Sequence, residues 1–383
     1  MKAGLSGPPR LPRLFLLASL AAALTGPLAS CNKSSSDNPT PEMGLIKPLG
    51  PKPADGSTIN DQMLAVTEQF VAFNDPPPLT LTARQARMTH SVTDAVNTPL
   101  AKNNRPMLAP AVTTSQRVLP PSFTPGSAPD GVPVRIYTPT AAATGARPGI
   151  VYYHGGGWVI GSLMVYESSA QALAERTGAV VVSVDYRLAS ETMNKFPAAH
   201  EDAYAAYKWV RENATSIGIN PAKIATAGES AGGNMAVAVC LLAKERGLAL
   251  PMHELLVYPV ANNDLTTPSY VQYVNAKPLD KVGIEYFGSK YFSSPVDGDN
   301  RLISLVDVAD LRGLPTTTIV AAEIDPLQTE GKQLADRLTA AGVATAYQLY
   351  PGTTHEFFGT YAVVPPANDA QDFAAMRLKA ALQ

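Results

Sequence analysis

From about Val118 onward the chain alternates short apolar runs with helical segments, and this limits the fold more than any other feature. Val132–Tyr137 alternates apolar with polar residues and stops at Pro139. Gly149–Tyr153, Ala179–Val184, Lys223–Ala227, Leu255–Tyr258, Thr316–Ala322 and Ala344–Tyr350 are apolar stretches of strand length. Continuous runs such as Ala179–Val184 suit strands covered on both faces. Between them lie helical patterns over Ser168–Thr177, Ala199–Asn213, a stretch from the Gly228–Gly232 turn to about Gly247, and about Glu330–Ala341, with a terminal helix over residues 367–382. Strands separated by helices of ten or more residues make βαβ units, so the expected fold is α/β with a mostly parallel central sheet and helices on both faces.

Residues 263–300 interrupt this alternation with aromatic, helical-looking sequence and read as an insertion over the carboxyl edge of the sheet. Ahead of the sheet, residues 58–117 read as a small helical segment. One helix is carried by Met63-Leu64, Phe70-Val71 and Phe73 and stopped by Pro76-Pro77-Pro78, and a second covers about Thr82–Val96. Residues 118–383 form the main domain around that insertion.

The amino terminus reads as an address. Lys2, Arg10 and Arg13 precede an apolar run from Leu14 to Leu24, the pattern of a secretory signal, and too short for a bilayer-spanning helix of about 20 apolar residues. The run ends in Leu28-Ala29-Ser30-Cys31, which resembles the lipidation box of bacterial lipoproteins. That resemblance implies a signal over residues 1–30, lipidation at Cys31 and a place in the bacterial cell envelope. Asn32, where Asp would signal inner-membrane retention, leans toward the outer membrane; a periplasmic or secreted protein is the alternative. Residues 31–57 are rich in Ser, Pro, Asn and Gly and read as a tether.

Composition narrows function by exclusion. With 30 Lys+Arg against 32 Asp+Glu the net charge is −2, which gives no electrostatic reason to bind nucleic acid. The two cysteines, Cys31 and Cys240, sit in such different contexts that a disulfide framework is not expected, and Cys240 reads as an inert thiol in a helix.

The chemistry concentrates after strands. Gly228-Glu229-Ser230-Ala231-Gly232 fits G-x-S-x-G, which sets a serine on a sharp strand-to-helix turn with glycines on either side. His154-Gly155-Gly156-Gly157 lets successive backbone N–H groups point at one oxygen, as an acyl-transfer site needs where negative charge develops. No phosphate-loop lysine follows, and Ile160 stands where a dinucleotide motif would have its third Gly. Trp158 reads as packing. A serine nucleophile needs a base and an orienter, in the chain order Ser, acid, His. Of the two histidines after Ser230, His253 precedes a strand, at the wrong end of the sheet, while His355 follows the strand ending at Tyr350, at the carboxyl end where open α/β sheets bind ligands. The loop after Thr316–Ala322 offers Glu323 and Asp325. Asp325 lies further beyond the strand and is stiffened by Pro326; Asp297, Asp299 and Asp310 fall in or near the insertion.

Together these pieces resemble the α/β-hydrolase family, in particular its hormone-sensitive-lipase-like branch, the bacterial family IV carboxylesterases. The resemblance spans about residues 130–365. It rests on His154–Trp158, Asp185-Tyr186-Arg187-Leu188-Ala189 with Phe196-Pro197-Ala198-Ala199, the serine turn, Asp325-Pro326-Leu327 and His355-Glu356-Phe357-Phe358. It implies a serine carboxylesterase acting on small ester substrates of short to medium acyl chain, with Ser230, Asp325 and His355 as triad and no metal or cofactor. It also implies an oxyanion hole from Gly156, Gly157 and Ala231, with His154, Gly155, Glu229 and the Tyr186-Arg187 segment in support. The helical segment and the insertion become a cap whose Tyr270, Tyr273, Tyr286, Phe287, Tyr291 and Phe292 either line a pocket or simply pack. The chain departs from the pattern at Glu229, where Asp is frequent, at Ser190, often Pro, and at Glu356, where Gly is common. A membrane contact through the lipid anchor is expected, and a homodimer is compatible with the reading. Two other readings stay open: a binding protein on this fold without catalysis, and a hydrolase for amides, lactones or carbamates.

Overall fold

The alternation folds into an eight-stranded sheet. The computed structural model describes residues 46–105 and 110–383; the expected signal over residues 1–30, Cys31 and the outer tether to residue 45 lie outside the described residues. The strands are β1 (Val112–Val118), β2 (Pro133–Pro139), β3 (Arg147–Tyr153), β4 (Val180–Val184), β5 (Ile219–Glu229), β6 (His253–Val257), β7 (Thr316–Ile324) and β8 (Thr345–Thr354). Their order in the sheet is β1-β2-β4-β3-β5-β6-β7-β8. β2 runs antiparallel to β1 and β4, and every pairing from β4 to β8 is parallel. Among the described residues, α1 (Asp61–Ala72), α2 (Ala83–Ala86) and α3 (Val92–Lys102) precede the sheet. α4 (Glu167–Thr177) follows β3, α5 (Ala198–Asn213) follows β4 and α6 (Ala231–Glu245) follows β5. α7 (Pro268–Gln272) and α8 (Lys281–Tyr291) lie between β6 and β7, α9 (Gln328–Ala340) follows β7, and α10 (Pro365–Ala381) follows β8.

Side chains alternate across a strand, so each apolar run feeds two cores. Val180, Val182 and Val184 join Val151, Tyr153, Leu256 and Ile319 in a core under α5, α6 and α9. Val181 joins Ile150, Tyr152, Leu255, Val257 and Val320 in a second core under α1, α3, α4 and α10. The sheet is therefore wrapped on both faces, and every parallel strand points its carboxyl end at the same rim.

Four segments differ from the sequence reading, each for a local reason. β1 carries almost no buried side chain, so no apolar alternation marks it; it is held by its ladder to β2. β8 runs past Pro351-Gly352 to Thr354 because a register shift opposite Ala322/Ile324 absorbs the extra residues, with Gly352 at φ +71°. The single helix expected over Thr82–Val96 is two, since Ser91 and Asp94 cap each other's backbone and start α3 afresh. Residues 46–57, expected as the inner end of the tether, pack on the domain: Ile46 is buried, and the N–H groups of Leu49 and Gly50 donate to Glu68 at 2.6 and 2.8 Å. No helix among the described residues is long and apolar enough to cross a membrane.

Candidate active site

The candidate residues sit on the first positions after consecutive strands. His154 follows β3, Ser230 follows β5, Tyr258 follows β6, Asp325 follows β7 and His355 follows β8. Parallel strands bring these five chain-distant positions to one rim, the place where open α/β sheets bind ligands.

Ser230 holds φ +56° and ψ −119°, a conformation rarely adopted by L-residues and one that this tight turn imposes. The flanking glycines are required by contact. A Cβ on Gly228 would lie 2.2 Å from the Gly232 carbonyl oxygen, and one on Gly232 would lie 2.0 Å from that of Tyr153. The turn presents Ser230 Oγ 2.9 Å from His355 Nε2, and His355 Nδ1 lies 2.7 Å from Asp325 Oδ2. The other Asp325 oxygen accepts the Leu327 N–H at 2.9 Å. Asp325 is fully buried and His355 is 3% exposed, so these bonds are poorly screened. Burial alone disfavours the imidazolium; the Asp325 carboxylate and then the nearby Glu356 and Glu229 outweigh it, leaving His355 above its ordinary range. The alternatives are elsewhere. Glu323 accepts Thr58 Oγ1 at 3.0 Å and the Gly352 N–H at 2.6 Å, and His253 bonds Thr316 and Thr318 at the amino end of β6.

The glycine loop after β3 has a built shape. Gly156 and Gly157 have φ +100° and +58°. A Cβ on Gly156 would meet the Ile160 carbonyl at 2.3 Å, and one on Gly157 would meet the Phe287 ring at 2.2 Å. Neither glycine's N–H donates to another group among the described residues, and Ala231, as the first residue of α6, has no intrahelical acceptor for its own. His154 stacks on Tyr186 with centroids 4.2 Å apart and donates from Nδ1 to the Gly155 carbonyl; burial keeps it neutral, down to about 4. Gly155 is pressed against the Tyr166 hydroxyl, which a Cβ would approach to 2.5 Å. Arg187 clamps buried Asp202 through Nε at 2.7 Å and Nη2 at 2.8 Å, and Asp202 also takes the Ala128 N–H. Ala189 N–H bonds the Trp158 carbonyl, so this segment braces the loop.

Among the insertion aromatics, Tyr270, Tyr286 and Tyr291 are almost fully buried, and Tyr291 stacks on Trp158 at 4.7 Å. Phe287 is the one that meets the glycine loop. Sequence reasoning passed over three residues here. Arg87 ties the segment after α2 to the loops through the Val159 and Ala189 carbonyls. Tyr258 lies with its ring 4.5 Å from that of His355. Glu356, noted only as a departure from the family pattern, has φ +66° and bonds the Tyr166 hydroxyl. Tyr258 was findable, since it follows a strand at the active rim.

Comparison with known proteins agrees with this fold. Residues 150–359 match the family model described as the alpha/beta hydrolase fold. The chain is 39% identical over 254 residues to carboxylesterase NlhH of Mycobacterium tuberculosis, covering 66% of this chain and 79% of the relative. It is 34% identical over 243 residues to an ethyl acetate hydrolase of Pseudomonas putida, covering 62% and 75%. Among solved structures, a thermostable esterase from Pseudomonas putida superposes with a TM-score of 0.74 at 28% identity, over 85% of this chain and 98% of that one. A hyperthermophilic esterase from the archaeon Pyrobaculum calidifontis gives 0.70 at 34% identity, over 79% and 95%.

Proposed function

The chain belongs to the α/β-hydrolase fold family and is an ester-hydrolysing enzyme of it; from that premise we propose that it is a serine carboxylesterase working through an acyl-enzyme. The observation that carries the reading is the unbroken chain of two hydrogen bonds from Asp325 through His355 to Ser230.

In this mechanism His355 Nε2 takes the proton of Ser230 Oγ as the oxygen attacks the ester carbonyl. Asp325 holds the Nδ1–H tautomer and stabilises the imidazolium that forms. The N–H groups of Gly156, Gly157 and Ala231 receive the tetrahedral oxyanion, each lowering the barrier by roughly 3 kcal/mol. The intermediate collapses, the C–O bond to the alcohol breaks, and His355 hands its proton to the leaving oxygen. Water then attacks acyl-Ser230 with His355 again as base, releasing the acid and restoring the serine. The chemistry calls for no metal or cofactor. α1 to α3 and the segment with α7 and α8 act as the cap, and a short to medium acyl chain fits a site where Phe287 lies on the glycine loop. The resemblance of Leu28-Ala29-Ser30-Cys31 to the lipidation box supports a location in the bacterial envelope, with the enzyme held through lipidated Cys31.

Labelling with a fluorophosphonate probe, beside hydrolysis of nitrophenyl esters of increasing acyl length, tests the assignment. Wild type should be labelled and favour the shorter esters, and Ser230→Ala should do neither. An unlabelled wild type that binds esters without turnover would favour the non-catalytic reading. A Ser230→Ala protein cleaving esters at the wild-type rate would overturn the mechanism.

A further inference from the structure

A second acidic centre lies behind the nucleophile and the base. Glu229 precedes Ser230 and Glu356 follows His355, and both carboxyls line one small cavity of about 10 Å³, together with Tyr166, Ser169 and Thr360. Glu229 is 1% exposed. Glu356 is partly exposed as a residue, but its carboxyl turns inward. It also holds a left-handed backbone, φ +66°, where a side chain costs about 1–2 kcal/mol and glycine would be at ease. Strain kept at a site is a reason to look for function there.

Three tyrosine hydroxyls converge on the two acids. Tyr152 donates to Glu229 Oε1 at 2.5 Å, Tyr258 to Glu229 Oε2, and Tyr166 to Glu356 Oε1. Among the described residues, the remaining lining of the cavity holds no fixed cation. α3 contributes Val92, Thr93 and Val96 to the cavity, α4 contributes Ser168 and Ser169, and no lysine or arginine lines it. The nearby titrating groups are Asp325, which is itself acidic, and His355. Two buried carboxylates without a fixed cation do not both ionise; they titrate as one pair.

We propose that Glu229 and Glu356, joined by no hydrogen bond among the described residues and coupled through space, hold one proton between them and act as a positioning pair, whose single negative charge behind the triad supports the His355 imidazolium alongside Asp325. The inference rests on His355 being the base of the reaction. Its electrostatics are consistent: burial pushes Glu229 up to about 7, with the Glu356 charge pushing the same way. Burial likewise raises Glu356, against the pull of His355. The proton count is unchanged through the cycle. When Ser230 gives its proton to His355, the pair keeps its own, and its single charge faces the new cation.

Sharing has a signature that two independent acids lack. In either single variant, Glu229→Gln or Glu356→Gln, the remaining acid ionises alone and the charge near His355 survives. Only the double variant removes it. The acid limb of kcat/KM should therefore move to lower pH by about one unit in the double variant and by much less in each single one, with KM little changed and plateau kcat reduced. The His355 Nδ1–H proton resonance, followed with pH, reads the same shift without any substrate, so failure of this inference is separable from failure of the esterase reading. If the double variant does not fold, infrared difference spectra at pH 8 decide the matter on the single ones. A shared proton predicts that either Gln substitution abolishes the same neutral-carboxyl band; two separately protonated acids would each lose only their own. Equal and additive pH shifts, an unmoved His355 titration in a folded double variant, or the absence of that band from wild type would each overturn the proposal.

Discussion

At the residue scale, the proposed orienter is decided between two acids only two positions apart. The β7–β8 register shift turns Glu323 toward Thr58 and Gly352, while Asp325, past the last strand residue, faces His355. Asp325→Asn should lower kcat/KM by roughly ten-thousand-fold, because an amide that donates favours the wrong imidazole tautomer. Glu323→Gln should leave kcat/KM within about threefold and register only in melting temperature, by about 1 kcal/mol of lost hydrogen bonding. The pH profile carries a sign as well. The proposed base works neutral, so activity should fall as His355 gains a proton, and in wild type this limb should lie above the ordinary histidine range because Asp325 and its acidic neighbours outweigh burial. Removing the Asp325 charge leaves burial with less opposition, so the residual activity of Asp325→Asn should persist to lower pH. A limb that stayed in place would mean that Asp325 is not the group sensed by His355. How legible these positions were follows from their chemistry. Ser230, His355 and Asp325 combine a residue type with a strand end, and both are readable in one dimension. Arg87 and Tyr258 act through a carbonyl contact and a ring placement, which no spacing encodes.

At the scale of elements, the glycine loop and α8 are one packing unit. Phe287 fills the space that a Gly157 side chain would need, to 2.2 Å, and Gly157 sits at φ +58°. Gly157→Ala should therefore displace a proposed oxyanion donor and lower kcat by roughly a hundredfold or more. The double variant Gly157→Ala, Phe287→Ala removes the ring atoms at 2.2 and 2.5 Å but leaves the Phe287 Cβ at 2.7 Å and the backbone strain of about 1–2 kcal/mol. Steady-state kinetics should show partial recovery of kcat; no recovery would mean that the Phe287 ring does not shape the loop. The central strands were plain in the sequence because both faces are buried and each run is apolar throughout. β1 and the far end of β8 were not. The first is stabilised by a ladder, with little burial, and the second passes a Pro-Gly pair by bulging, so neither leaves a hydrophobic trace.

At the scale of the whole molecule, the sequence separates an address from a catalyst. The domain carries its own two cores and proposed active site within residues 46–383, and no described helix is long and apolar enough to cross a membrane. The amino-terminal pattern of basic residues, the Leu14–Leu24 run and Leu28-Ala29-Ser30-Cys31 then has one proposed task, delivering the domain and fixing it at a lipid surface. Since the anchor and the triad share no residue, they should separate cleanly. Cys31→Ala expressed in a bacterial host should lose palmitate labelling and shift esterase activity from the membrane to the soluble fraction, with kcat/KM on water-soluble esters unchanged. An unlabelled wild type would remove the lipid from the account, and a Cys31→Ala variant with impaired kcat/KM on those esters would show that address and catalyst are not independent.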